Sequence, residues 1–261
     1  MSALSVGAAA LVLTGSTAAC GGSGDRSLQS ADELPAARQT ATTVADTSTT
    51  TTTTLPGEEF DPFFAPDGTV LDAIGIAFDE TLDVRALPGS SRPVVASLPP
   101  LSGGIVSEGR ARSITDDGIW LEVTATGATG WVNSFDLARL GGVRDVTADV
   151  ISAIGSTPTA PSMLELGELV NEVVVPSDPD APPAEVVLAA EPVSGTTAEV
   201  VYDVFPGEFF GDDTSIGSRI VVTGEQIIPE AAFAPGVVHR LVRVDSIAFC
   251  TRGVTDDGLC V

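Results

Sequence analysis

Chemistry in this chain of 261 residues has to come from few side chains: one histidine, three cysteines and a surplus of carboxylates. His239 could act as a general base only with a nucleophile in reach, and no Gly-x-Ser-x-Gly elbow supplies one. The alternation Val238-His239-Arg240-Leu241-Val242-Arg243-Val244 instead makes it a strand residue, exposed or satisfied. Cys250 and Cys260 stand ten apart with no histidine nearby, which is not a metal-site spacing. Paired carboxylates occur at Asp116-Asp117, Asp212-Asp213 and Asp256-Asp257, and Glu208 joins the second pair in the densest acidic loop. Calcium asks for several oxygens spaced along one loop, as in an EF-hand, and that pattern is missing. Nor is there a glycine-rich phosphate loop between a strand and a helix. These residues predict a protein that is not an enzyme and holds no metal or cofactor.

Charge narrows the partners. Thirty-six acidic residues face twelve basic ones, all arginine, for a net charge of −24. Long-range repulsion then opposes nucleic acid and anionic lipid headgroups. Aromatic residues are only 5% of the chain, which limits stacking platforms, while an apolar fraction of 43% is ample for a core.

Residues 1–20 carry a short apolar stretch, Ala8 to Leu13, followed by Thr14-Gly15-Ser16-Thr17-Ala18-Ala19-Cys20. The stretch is too short to span a bilayer and suits the core of a signal peptide. Small residues leading into a cysteine resemble the lipobox of bacterial lipoproteins, and Gly21-Gly22-Ser23-Gly24 resembles the tether after a lipidated residue. The resemblance implies a signal peptide over 1–20, lipidation at Cys20 and an extracytoplasmic protein anchored to the cell membrane by lipid. Residues 21–69 then read as a disordered spacer, dominated by the threonines of 42–54. Such threonine-rich stalks resemble those of actinobacterial lipoproteins. With Cys20 lipidated, Cys250 and Cys260 remain as an even pair in an oxidising compartment, so a disulfide is expected between them.

The elements that must position any binding groups begin after the spacer. Over 70–141, short β-branched runs alternate with turns. Strands are expected at Leu82 to Arg85, Pro93 to Leu98, Ile105-Val106, Ile119 to Val123 and Trp131 to Asn133, with a hairpin turn at Asp116-Asp117-Gly118. About five short strands suggest a small barrel. In order, Leu82-Asp83-Val84-Arg85, Pro88-Gly89, Pro93-Val94-Val95, Leu98-Pro99, Trp120-Leu121-Glu122-Val123 and Gly130-Trp131-Val132 resemble the bacterial SH3-like (SH3b) domain. That resemblance implies a non-catalytic envelope module that binds peptidoglycan or a protein. Its candidate ligand residues here are Arg85, Arg92, Trp120, Trp131 and Asn133. Leu101 stands where the family often has glycine.

Over 142–261 the pattern turns helical and then to strands. Val146, Val150, Ile151 and Ile154 share one face of a short helix that ends at Gly155. Ser162 with Glu165 opens a second helix, with Met163, Leu166, Leu169, Val170 and Val173 on one side. Strands are expected from Glu185 to Ala190, Ala198 to Val204, Ser218 to Thr223 and Val237 to Phe249. The fold class is mainly β with some α: a small SH3-like barrel, then an α+β domain closed by a disulfide. The closing stretch from Phe249 to Val261 resembles that of actinobacterial envelope proteins carrying an SH3-like domain. The expected function is a membrane-anchored binding module that contacts peptidoglycan or an envelope protein. The alternatives are an enzyme with its site in the C-terminal domain, or a structural accessory of an envelope complex.

Overall fold

The structure is a computed structural model that describes residues 54–175, 182–193, 195–207, 214–228 and 237–261. It is mainly β with two helices. The lipobox, Cys20 and the threonine run lie outside the described residues, as does the acidic loop of Glu208, Asp212 and Asp213.

The first half holds β1 (Glu58–Phe60), β2 (Val70–Ala73), β3 (Leu82–Arg85), β4 (Val94–Leu98), β5 (Ile105–Ile114), β6 (Gly118–Ala125) and β7 (Ala128–Asn133). Strand alternation dictates the inside: Leu82 and Val84 are buried while Asp83 and Arg85 are only partly so. The strands curl into a half-barrel in the order β2-β5-β6-β7-β3-β4, packed on Leu71, Val84, Leu98, Ile105, Leu121, Val123 and Val132. The turn at Asp116-Asp117-Gly118 forms with both Asp116 and Gly118 at positive φ. Its Asp117 carboxylate accepts the Ser90 N–H at 2.7 Å, tying the Pro88-Gly89 loop to the hairpin. Leu101 has a φ of 61° and so occupies a conformation that favours glycine.

Order starts earlier than the spacer boundary at residue 69 predicts. Phe60 pairs with Ala111 as β1 lies along β5, and Ala65 is fully buried. The local pattern has no period because this segment is pinned by non-local contacts: the Ala65 carbonyl accepts the Ser107 hydroxyl at 2.7 Å.

The second half adds β8 (Leu137–Asp145), α1 (Thr147–Ile154), β9 (Thr159–Ala160), α2 (Met163–Val174), β10 (Glu185–Ala190), β11 (Thr197–Phe205), β12 (Ser215–Ile227) and β13 (Val238–Cys250). Both helices form where their signals stand. Asp145 accepts from the Thr147 N–H and hydroxyl at the start of α1, and Gly155 closes it in the left-handed conformation. Ser162 caps α2 by accepting the Glu165 N–H at 3.2 Å. The buried face of α2 differs from the apolar stripe, however. Leu169 and Val173 are exposed, while Gly167 and Asn171 turn inward. Gly167 lets the helix approach Tyr202, whose hydroxyl would lie 2.5 Å from an added Cβ.

Gly141-Gly142 is not a break between the halves. It lies inside β8, which pairs with β2 through Ala138 and with β13 from Arg139 to Asp145. One sheet path therefore runs from β10 through β13 and β8 into the half-barrel. The glycines are needed for close approach, since Gly142 donates to the Gly258 carbonyl at 2.7 Å and a Cβ on Gly141 would meet that oxygen at 2.9 Å. The expected disulfide, Cys250–Cys260, holds Gly258 there.

A buried ion pair completes the seam. Arg219 on β12 faces Asp203 on β11 as its cross-strand partner, with Nε–Oδ1 2.8 Å and Nη2–Oδ2 3.0 Å. Both are almost fully buried. Each also reaches β2 and its exit: Arg219 Nη2 donates to the Ala73 carbonyl at 2.9 Å, and Asp203 accepts the Gly75 N–H at 2.9 Å. A small apolar cluster of Ile74, Ala138 and Phe249 packs beside them.

Candidate binding cleft

Four of the five groups that the resemblance offers as ligand residues make contacts within the fold. Trp131 is buried on β7 behind Arg110, whose guanidinium carbon lies 6.0 Å from the ring. Trp120 is buried on β6 and donates its Nε1–H to the Asp117 carbonyl at 2.9 Å. Arg85 bonds the Arg92 carbonyl at 2.7 Å and Asp83 at 2.9 Å, bracing the turn between β3 and β4. Asn133 caps a single 3-10 turn, Ser134–Asp136, by accepting the Phe135 N–H at 3.1 Å. Arg92 is exposed. Register sets Arg85 opposite Trp131 on β3 and β7, and Trp120 opposite Asn133 on β6 and β7.

His239 sits on β13 opposite Gln226 and Ala160, and its Nδ1 has no hydrogen-bond partner among the described residues. No group of three metal-ligating side chains occurs among the described residues. No described helix is long and apolar enough to cross a membrane.

One hollow of about 570 Å³ is lined by Phe60, Asp61, Arg110, Arg112 and Trp131, and a second, richer in aromatic rings, lies at the seam. This second cleft, of about 550 Å³, is lined by Phe60 at the end of β1, Phe63 and Phe64 just after it, Phe135 and Asp136 from the 3-10 turn, and Phe205 from the end of β11. Phe63 and Phe64 meet edge to face at 5.6 Å, and Phe60 lies 6.4 Å from Phe64. Two of these rings are wide open to solvent: Phe63 is 67% exposed and Phe135 68%. Two exposed phenylalanines lining one cleft, in a chain this poor in aromatics, mark a surface built for contact.

Asp136 is the cleft's unusual polar group. Its carboxylate accepts no hydrogen bond and forms no ion pair among the described residues, and its backbone carbonyl is taken by the Ile74 N–H. Burial pushes its pKa up to about 6. Glu185 and Arg252 also line the cleft, and both are exposed. A carboxyl of this kind can exchange a proton near neutral pH or hold a cation. The lining holds no histidine or free thiol to complete a catalytic set, since Cys250 is in the disulfide.

No protein family, curated protein or solved structure matches this chain. Its function has to be argued from the cleft and the sequence.

Sequence reasoning overlooked every aromatic of this cleft. A signal was present: Phe60-Asp61-Pro62-Phe63-Phe64 concentrates three of the ten phenylalanines in five residues, inside what reads as spacer. Asp136 had no signal, because the cleft around it is assembled from Phe60, Phe63, Phe64 and Phe205, all distant in sequence.

Proposed function

We propose that this protein is a non-catalytic binding protein of the cell envelope, held at the outer side of the membrane by lipid on Cys20, and that it works by gripping a partner protein in the aromatic cleft. The observation that carries the reading is the pair of exposed phenylalanines, Phe63 and Phe135, beside a 550 Å³ hollow. Such a surface gains from covering apolar side chains, the usual centre of a protein contact. It offers few donors for the sugar hydroxyls of peptidoglycan, so of the two expected partners the cleft favours an envelope protein. The Cys250–Cys260 disulfide supports the extracytoplasmic side, where such bonds persist.

The test is sedimentation of the chain from Gly21 to Val261 with purified peptidoglycan at low and high salt. The expected result is no retention that survives high salt. Salt-resistant retention that Arg92→Ala abolishes would overturn the reading and return the barrel to wall binding.

A further inference from the structure

We infer that the cleft selects an organic cation: an ammonium or guanidinium group carried on an apolar body, gripped between the phenylalanine rings and the Asp136 carboxylate. The inference rests on the cleft being the binding surface and adds the chemistry of what it takes.

Three observations converge. The walls bring together Phe60, Phe63, Phe64 and Phe135, and aromatic faces attract a cation while their edges cover its apolar neighbours. Asp136 stands in that wall without a hydrogen bond or ion pair among the described residues. A carboxylate kept in apolar surroundings without a partner gains more from an incoming cation than an exposed one would. The surplus of negative charge on the chain, 36 acidic against 12 basic residues, draws cations toward the surface as a whole. Arg252 is the opposing charge in the lining, and Glu185 offsets it; both are exposed and so screened by solvent. Within a partner protein the fitting group is a lysine or arginine flanked by apolar side chains, or a free N-terminus.

The probes are phenethylammonium and its uncharged counterpart 2-phenylethanol, titrated into the chain from Gly21 to Val261 and followed by NMR shifts of the phenylalanine ring protons. The expected result is a preference of about tenfold for the ammonium, as one charge-assisted hydrogen bond provides. Asp136→Asn should reduce the ammonium-over-alcohol preference to about one, and the ring-proton spectrum of the unliganded variant reports that the cleft is still folded. Arg252→Ala should keep or strengthen the preference. Equal binding of the two probes by the unsubstituted chain would overturn the inference and leave the cleft a binding surface. Binding of neither would overturn both.

Discussion

Replacing Arg219 with methionine should cost about 3–5 kcal/mol of stability, because it strands a buried carboxylate. Asp203 is 1% exposed and its two oxygens are shared between Arg219 and the Gly75 N–H. Remove the guanidinium and the charge keeps one backbone donor in an apolar setting, while the Ala73 carbonyl loses its partner as well. A shift of the ring contact between Arg219 and Phe249, now 5.7 Å, adds to the loss. Changing both members, as Asp203→Leu with Arg219→Met, should recover part of it, since neither charge of the pair is then left buried while the Gly75 N–H and the Ala73 carbonyl still lack their partners. Urea unfolding followed by circular dichroism checks both variants. Because the pair joins β11 and β12 to β2, the whole ordered body should unfold in one transition, and the single variant should move that transition intact. Two transitions, with only one displaced, would mean the half-barrel and the second sheet fold independently.

The second large effect has the opposite sign. Asp136→Asn should stabilise the protein at pH 7.5 by about 2–3 kcal/mol. Burial raises this carboxyl from 3.8 to about 6, which at neutral pH costs the folded state up to about 3 kcal/mol. The folded value lies above the unfolded one, so the cost is absent below about pH 4, where both states hold the proton, and complete above about pH 7. The gain from asparagine should therefore shrink as pH falls from 7 and vanish below 4. Thermal unfolding of both proteins at pH 7.5, 6 and 3.5 measures it. A gain that is independent of pH would place the effect in packing and not in the charge. A side chain that lowers stability without a partner in the fold is what a binding group looks like when its site is empty of strong neighbours.

These two residues also mark where sequence reasoning reached and where it stopped. Elements coded by short-range signals were legible: the Leu82 to Arg85 alternation, the Asp116-Asp117-Gly118 turn, the Ser162 cap and the Gly155 stop all stand where their chemistry puts them. The disulfide followed from counting cysteines once Cys20 was set aside, and the pair forms. What depends on register was not legible. Asp203 and Arg219 are sixteen residues apart and face each other only because β11 and β12 pair as they do. Trp120 and Trp131 read as ligand residues in a family pattern; alternation sends their neighbours Leu121 and Val132 into the half-barrel core and leaves the two tryptophans on the opposite face, where each is buried by local contacts with the Asp117 carbonyl and the Arg110 guanidinium. Gly141-Gly142 looks like a linker because glycine usually loosens a chain; here the same missing side chains admit Gly258 against β8. The phenylalanines near residue 60 were hidden by the low-complexity run before them, since periodicity cannot detect a segment held by contacts across the sheet.

The central claim is that this protein grips another envelope protein at the seam cleft, and cross-linking in cells tests it most directly. A photoreactive phenylalanine analogue at Phe63, in the full anchored chain, should give a protein adduct of defined mass on irradiation. The same analogue at Val193, exposed and away from the cleft lining, should give none. An adduct from Val193 and none from Phe63 would contradict the account, because contact would then be made by some other surface.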